Sequence, residues 1–320
     1  MVKLKFTTIT PLHISNGEFL DQNFHYKVAD NRIFRIDQNK LSALLTQKEK
    51  IDFSQNITSL QIEKWISKHQ IDIMDKASSY SLEYDDAFKE HLKNSRANGQ
   101  RQIIEFINTS GKFYIPASSI KGALITILKS DHLGIKEQRQ QGELIKEADI
   151  KDKFVIHDSN SLPEEIMMVY RTNNRPPAVN LICIKPNTTF SLYIYKLGAL
   201  SLDELKRKLQ SYWITQKETA LRSIVKFKSR NDQLKGADYF EKALERLNLL
   251  KLIDGEYVIN LGFGGGSWFK VEEGTIPKFR SKSPNPRRRG TDEEAHTTFS
   301  ININDTPQHI GWCKLKIEEE

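Results

Sequence analysis

The chain has 320 residues, of which 38% are hydrophobic and 28% are charged, and this composition excludes an intrinsically disordered protein. Lysine and arginine (48) outnumber aspartate and glutamate (41), and the resulting net charge of +7 favours an anionic partner. The two cysteines, Cys183 and Cys313, are far apart in the chain, which argues against a disulfide framework and against a zinc site built on cysteines.

The N-terminal residues predict strands and a cytoplasmic location. Residues 2–10 alternate between polar and apolar side chains, as a strand does, and they lack the continuous apolar run of a signal peptide. No segment approaches the ~18 consecutive apolar residues that a membrane span needs. Two further alternating segments, residues 24–28 and 32–36, flank Ala29-Asp30-Asn31 and predict a β-hairpin.

Residues 38–98 predict a helical insertion. The segment is polar, and apolar residues such as Leu41, Leu44 and Leu45 recur at helix-like spacing. We therefore expect it to lie outside any sheet. Strands are predicted again at residues 103–107 and 113–115, on either side of a turn.

The stretch YIPASSIKGALITIL, residues 114–128, predicts a strand end followed by a helix. Its apolar residues recur at helical spacing, and Ser118 or Ser119 is a natural N-cap. The first N–H groups of a helix have no internal partner, so small residues at the helix start, with Lys121 and Gly122, predict a seat for an anion such as a phosphate. The alternative is an ordinary capped helix with a surface lysine.

The second half predicts a further round of strands and helices. Strands are expected at MMVYR, NLICIK and TTFSLYIYK, then a helix capped by Ser201, a helix at about 237–250, and strands at EYVINLG, FSININ and GWCKLKI. This order indicates an α+β fold of two ferredoxin-like modules. The expected domains are residues 1–155, with the insertion, and residues 156–320, with a glycine-rich loop at 261–267.

That loop, LGFGGGSWFK at residues 261–270, combines four glycines with two aromatic residues. Such a cluster implies positive φ angles or the close approach of another backbone; the glycines are Gly262, Gly264, Gly265 and Gly266. The spacing excludes a dinucleotide fingerprint, and the chain contains no Walker phosphate loop. The alternative is a flexible hairpin tip. Trp268 and Phe269 could stack on bases, although a place in the core is the better prediction.

A basic segment, PKFRSKSPNPRRRG at residues 277–290, follows the loop. It has six cationic residues and no acid between them: Lys278, Arg280, Lys282, Arg287, Arg288 and Arg289. Pro284 and Pro286 argue against a helix. A mobile cationic arm of this kind binds phosphate backbones without reading sequence, and the alternative is a solvated loop.

His13, in TPLHISNG, is the candidate for acid–base chemistry or a ribose contact. A structural histidine bonded to backbone is the favoured alternative. Asp21 and Asp158 follow strands, where acids most often cap turns. Because no Ser-His-Asp or Cys-His arrangement can be identified, we predict no catalytic set, no cofactor and no metal.

In this order, the motifs resemble those of the RAMP superfamily of CRISPR effector subunits. TPLHISNG is similar to the N-terminal motif of the superfamily, LGFGGGSWFK to its glycine-rich loop, and YIPASSIKGAL to its helix-opening motif, with Ala117 where a glycine is usual. The helical insertion and the ending HIGWCKLKI most resemble the capping subunits of type III-A Csm complexes.

The resemblance implies RRM-like folds, binding of the 3′-proximal part of the guide RNA (crRNA), support of its maturation, and packing beside the backbone subunit of the filament. It implies that Ser118, Ser119, Lys121 and Gly122 lie against guide-RNA phosphates and that the four glycines follow the same strand. The role of His13 stays open. Two alternatives are a metal-independent endoribonuclease with His13 as acid or base, and a protein-interaction role in which residues 38–98 recruit a trimming nuclease.

Overall fold

The computed structural model of the protein describes residues 1–55, 73–94, 101–129, 155–173, 178–196, 201–229, 237–266, 268–271, 273–280, 291–293 and 299–319. Within these ranges the strands are β1 Val2–Thr8, β2 Ser15–Leu20, β3 Tyr26–Ala29, β4 Arg32–Ile36, β5 Ser78–Tyr84, β6 Ile103–Phe106, β7 Asn108–Thr109, β8 Lys112–Phe113, β9 Val155–Ile156, β10 Met167–Arg171, β11 Asn180–Ile184, β12 Thr189–Lys196, β13 Glu256–Asn260, β14 Lys278–Arg280, β15 Thr291–Glu293, β16 Ser300–Ile303, β17 Thr306–His309 and β18 Trp312–Glu319. The α-helices are α1 Gln38–Ala43, α2 Gln47–Gln55, α3 Ile73–Lys76, α4 Asp86–Asn94, α5 Ala117–Lys129, α6 Leu202–Ser229 and α7 Ala237–Asn248. The predicted α+β class is confirmed.

Five of the described strands form an antiparallel sheet, in the order β13-β18-β1-β12-β9. Because side chains alternate across a strand, Leu4 and Phe6 of β1 share one face, where both are fully buried. Phe6 lies opposite Phe190 and Leu315, which are also buried. Lys3, Lys5 and Thr7 occupy the other face.

Helices cover the apolar face of this sheet. Helix α6 packs against β13, α5 packs against β9 and α6, and α7 packs against α6 and β17. The prediction that Ser201 caps α6 is confirmed, because its Oγ accepts a hydrogen bond from the Glu204 amide at 3.1 Å. The apolar face predicted for α5 is buried in the main core through Ile120, Leu124 and Ile127.

The second, seven-stranded sheet has the order β2-β6-β11-β10-β5-β4-β3. One of its faces contributes Val169 and Ile182 to the main core, and the other face packs Tyr170 and Leu181 against Ile301 of the β16–β17 hairpin. The predicted hairpin at its edge is confirmed, with positive φ angles at Asp30 and Asn31.

The expectation that residues 38–98 lie outside any sheet is wrong. Strand β5 is an interior strand of the seven-stranded sheet, antiparallel to β4 and parallel to β10. Tyr80 and Leu82 are buried while Glu83 is exposed, so the strand signal is present but is surrounded by polar helical sequence. Residues 56–72 and 95–98 of this segment lie outside the described residues.

Both sheets draw strands from both halves of the chain. The five-stranded sheet combines β1 with β12, β13 and β18, and the seven-stranded sheet combines β2–β6 with β10 and β11. The division into sheets therefore does not coincide with a boundary near residue 155, and the two-module organisation stays a prediction.

Candidate nucleic-acid interface

The predicted cap of α5 is wrong. The helix begins at Ala117, so Ser118 and Ser119 lie in its first turn. The Ala117 amide donates a hydrogen bond to Oδ1 of Asp158 at 2.7 Å, and the Ser119 amide donates to the Pro116 carbonyl at 3.0 Å. The cap is therefore a carboxylate from the segment after β9, which places a negative charge at the seat predicted for an anion.

The helix surface beside the cap is partly open, and Lys121 and Gly122 lie in the second turn of the helix. Ser118 and Gly122 are exposed, and Ser119 and Lys121 are half-buried. A side chain at Gly122 would meet no atom of the described chain within 4 Å. Glycine in a helix costs about 1 kcal/mol relative to alanine, and the described residues give no packing reason for it at this position.

The glycine-rich loop, Leu261–Gly266, is packed into the protein. Gly262, Gly264 and Gly266 have φ angles of 75°, 88° and 71°, which confirms the predicted positive φ. A Cβ at Gly262 would overlap the His13 carbonyl oxygen, and a Cβ at Gly265 would overlap the side-chain amide of Asn260. The loop is thus held by close contacts and is not a free hairpin tip.

Close contact between the loop and the N-terminal motif continues in hydrogen bonds. The Phe263 amide donates to the His13 carbonyl at 2.8 Å, and Asn260 Nδ2 donates to the Ile310 carbonyl at 3.1 Å. The Asn260 side chain also lies close to Gly311, where a Cβ would come within 3.2 Å of Asn260 Nδ2. Asn260 therefore holds the loop against the segment before β18. Sequence reasoning misses this role, for which the only local signal is the position of Asn260 at a strand end.

His13 itself is fully buried. Its Nδ1 lies 2.7 Å from the Ile182 carbonyl oxygen, which can only accept, so Nδ1 carries the proton. The ring packs edge-on against Phe106 and Phe263. Burial lowers the pKa of His13 to about 4, so the ring is neutral at pH 7. The structure therefore shows a histidine bonded to backbone, and the ring is out of reach of a substrate.

A row of ring contacts joins the loop to the segment that leads into α5. Phe263 contacts His13 at 5.8 Å between ring centroids, His13 contacts Phe106 at 6.1 Å, and Phe106 contacts Phe113 at 6.1 Å. Phe113 ends β8, and Ile115 beyond it exchanges two hydrogen bonds with Ser159. The structure thus brings the glycine-rich loop and the His13 motif into contact. Through Phe106 and Phe113 it also connects them to the segment before α5.

The two aromatic residues after the loop belong to the core, as predicted. Trp268 is fully buried and packs near Phe240, and Phe269 packs against Trp213 and Trp312. They are therefore not available to stack on bases.

The predicted cationic arm is described only at its start. Lys278 and Arg280 bound β14, which pairs with β15 in antiparallel register. The other four cations of the segment lie outside the described residues; they are Lys282, Arg287, Arg288 and Arg289.

The acids singled out in the sequence have structural partners. Asp21 Oδ1 accepts a hydrogen bond from Gln102 Nε2 at 2.7 Å, and its other oxygen lies 3.6 Å from His25 Nδ1. Asp158 caps α5.

In the part of the chain that the structure describes, histidine, cysteine and acidic side chains form no cluster of three or more suited to a metal ion. None of the described helices is long and apolar enough to cross a membrane.

Comparison with protein families tests the resemblance seen in the sequence. The sequence profile of the RAMP superfamily matches residues 5–270, a range that includes the His13 motif, the start of α5 and the glycine-rich loop. The chain belongs to the RAMP superfamily. The cationic segment at residues 277–290 lies beyond the matched range.

Individual RAMP relatives agree with this assignment. The chain is 27% identical over 302 residues to a protein of Methanocaldococcus jannaschii described as "CRISPR system Cms protein Csm5", with 83% of this chain and 71% of the relative covered. The fold of the present chain is similar to that of a chain in the cryo-EM structure of a type III-A Csm–crRNA–target RNA ternary complex. The TM-score is 0.63 and the identity 17%, over 99% of this chain and 100% of that chain. The crystal structure of T. onnurineus Csm5 gives a TM-score of 0.51 and 17% identity over 82% and 90% of the two chains.

Proposed function

We propose that this RAMP protein is a non-catalytic guide-RNA-binding subunit of a type III-A CRISPR interference complex, where it caps the filament at the 3′-proximal part of the crRNA and supports crRNA maturation. Its partners are the crRNA and other Csm subunits, especially the backbone subunit of the filament. The relative from M. jannaschii supports the assignment to this complex. The likeness to a chain of a Csm–crRNA complex supports a fold suited to it.

The observation that carries the RNA-binding role is the open surface at Lys121 and Gly122, in the second turn of α5. Gly122 is exposed, a side chain there would meet no atom of the described chain within 4 Å, and Lys121 lies next to it. A polymer that approaches at Gly122 meets the helix without an intervening side chain, and Lys121 supplies a charge for its phosphates. We propose that Ser118, Ser119, Lys121 and Gly122 contact guide-RNA phosphates in this way.

The glycine-rich loop has a second role in this proposal. Its internal contacts fix the backbone of Gly262, Gly264, Gly265 and Gly266 in one conformation, so the loop offers a rigid edge along which the same RNA strand can lie. Gly262 is partly exposed and Phe263 is exposed, so the loop retains accessible surface. We propose that the cations of residues 278–289 add further phosphate contacts.

The environment of His13 supports a non-catalytic role. An acid–base histidine must reach the proton that it transfers and titrate near the working pH. The His13 ring is fully buried, and its burial lowers the pKa to about 4. Both properties disfavour the endoribonuclease alternative that uses this residue.

The experiment that tests the proposal compares RNA binding by Lys121→Glu with binding by Lys242→Glu, an exposed lysine on α7. Fluorescence anisotropy with a labelled single-stranded guide RNA is expected to show weaker binding for Lys121→Glu alone. For the wild type, the log–log salt slope is expected to be about −0.7 per phosphate contacted. Binding that ignores salt, or equal binding by the two variants, would contradict the proposal.

A further inference from the structure

A second cationic surface lies on the open face of the five-stranded sheet, away from the helix start and the glycine-rich loop. Lys3 and Lys5 of β1 are on this face, opposite in direction to the buried Leu4 and Phe6. In register, Lys5 lies between Lys316 of β18 and Ser191 of β12. We call this surface the open sheet face; its exposed and half-buried residues include Lys3, Lys5, Thr7, Ser191, Tyr193, Tyr195, Glu256, Lys314, Lys316 and Glu318.

Positive charge is in excess on the open sheet face, because four lysines share it with two glutamates. Lys314 pairs with Glu256 at 3.3 Å, and Glu318 lies 3.4 Å from Lys316 and 4.0 Å from Lys3. In the described part of the chain no acid lies within ion-pair distance of Lys5.

The register also places two lysines side by side. Lys5 and Lys316 are direct cross-strand neighbours, and both are exposed. Like charges in this arrangement destabilise a sheet. An anion bound over the pair would remove the repulsion, so the pair is suited to a phosphate.

Two tyrosines of β12 lie on the same face, toward the Lys3 end of β1. Tyr195 is 54% exposed, and its ring lies over that of the exposed His157 at 4.3 Å between centroids. Tyr193 is half-buried and lies opposite Lys3 in the register of β1 and β12. Exposed rings beside cations are the combination that holds single-stranded nucleic acid, since every unpaired base has a face that can stack.

A cleft beside the open sheet face reaches Asp158, the residue whose carboxylate caps α5. Its volume is about 730 Å³, and its lining includes Lys3, Ser191 and Tyr193 from the sheet together with Asn160 and Asp158, the cap of α5. An RNA strand that passes the capping residue of α5 can therefore continue through the cleft onto the sheet.

We propose that the open sheet face binds an unpaired segment of the same guide RNA that contacts α5. Bases stack on Tyr195 and Tyr193, and phosphates lie over Lys5 and Lys316. The identity of the RNA rests on the proposed function; the site itself rests on the register, exposure and charge of this face.

Two pairs of variants of the full-length protein test the site. Tyr195→Ala is compared with Tyr239→Ala, which removes a ring that is 39% exposed on α7. Lys5→Glu is compared with Lys242→Glu, which changes an exposed lysine of α7. Each is titrated by fluorescence anisotropy against a labelled single-stranded guide RNA and against the same RNA annealed to its complement.

Removal of one stacking ring is expected to weaken single-strand binding by Tyr195→Ala about 5- to 150-fold. The duplex, whose bases are already paired, is expected to bind this variant as it binds the wild type. Lys5→Glu is expected to weaken binding of both RNAs and to reduce the salt slope by about 0.7 for each phosphate that the variant no longer binds. The two α7 variants are expected to match the wild type.

The outcomes separate this proposal from the function on which it rests. If Lys121→Glu weakens binding but Tyr195→Ala and Lys5→Glu do not, the open sheet face is not an RNA site and the proposed function stands. If those two variants instead lose association with another subunit while RNA binding is intact, the face is a protein interface and the proposal is wrong. If the wild type binds no guide RNA at any salt concentration, both proposals fail.

Discussion

The carbonyl oxygen of His13 occupies the space that a side chain on Gly262 would need. The contact joins the segment after the first strand to the loop after β13, and the Phe263 amide closes it with a 2.8 Å hydrogen bond to the same oxygen. The two segments come from opposite ends of the chain, so their contact ties distant parts of the fold together.

Gly262→Ala is therefore expected to destabilise the protein. The residue has a φ of 75°, which alone costs a non-glycine residue about 1–3 kcal/mol, and the overlap with His13 adds to this cost. Urea unfolding at pH 7 measures the loss in the free energy of unfolding. A variant as stable as the wild type would show that the loop can move away from His13.

Gly122→Ala makes the same change as Gly262→Ala, but at a glycine where the added methyl group meets no atom of the described chain within 4 Å. Its side chain enters open space in a helix, so the free energy of unfolding is expected to rise by about 0.5–1 kcal/mol. Binding to single-stranded guide RNA is expected to weaken, because the methyl group occupies the approach to the backbone. Unfolding and anisotropy measurements on one preparation give both quantities, and equal RNA affinity would remove Gly122 from the contact.

Much of the fold can be predicted from periodicity, because burial on one face of an element repeats locally. Strand β1, the Asp30-Asn31 hairpin and the apolar face of α5 all follow such a pattern. Strand β5 escapes prediction because its buried residues are separated by serines and it lies among polar helices. The polar composition of residues 38–98 as a whole hides the alternating pattern of this strand, which is only seven residues long.

The site can be predicted only where its chemistry is local. Glycine adopts positive φ angles without strain, so the unusual backbone conformation of the loop is predictable from its glycines. The cap of α5 is not, because Asp158 is 41 residues from Ala117 in sequence. The open sheet face also depends on register between distant strands, which places Lys5 beside Lys316 and which no single segment encodes.

Acid is expected to destabilise the protein in part through His13. Burial lowers its pKa from 6.5 to about 4, so between these values the unfolded chain binds the proton more readily than the native state. Stability is therefore lost as the pH falls through this window, by up to about 1.4 kcal/mol per pH unit. His309 acts in the same direction, because burial lowers its pKa too, whereas burial raises the pKa of Asp85 to about 6 and acts in the opposite direction.

Comparison with His13→Asn isolates the contribution of His13, because the other groups are common to both proteins. The free energy of unfolding, measured in urea at pH 7 and pH 5, is expected to fall more in the wild type than in the variant. The variant itself is expected to be less stable at pH 7, since it loses the ring contacts with Phe106 and Phe263. An identical pH dependence in the two proteins would show that His13 is accessible to protons in the native state.

Glu105 is a buried carboxylate whose partners come from three strands or their ends. Its oxygens accept hydrogen bonds from Arg35 Nε at 3.1 Å, Tyr80 Oη at 2.7 Å and Asn16 Nδ2 at 3.0 Å. Arg35→Met leaves this charge unpaired and is expected to cost about 3–5 kcal/mol in urea unfolding. Adding Glu105→Gln is expected to recover part of the loss, and a double variant no more stable than Arg35→Met would contradict the pairing.

Asp158 both caps α5 and repels an approaching phosphate. Asparagine is as good a cap as aspartate but carries no charge, so Asp158→Asn is expected to change the free energy of unfolding little and to bind guide RNA more tightly. Asp158→Ala also removes the charge, but it is expected to lose about 1 kcal/mol of stability because the Ala117 amide loses its partner. Asp86→Asn, at an exposed acid in the first turn of α4, is the control for general loss of negative charge. If Asp86→Asn raises RNA affinity as much as Asp158→Asn, the gain comes from net charge and the RNA does not approach the start of α5.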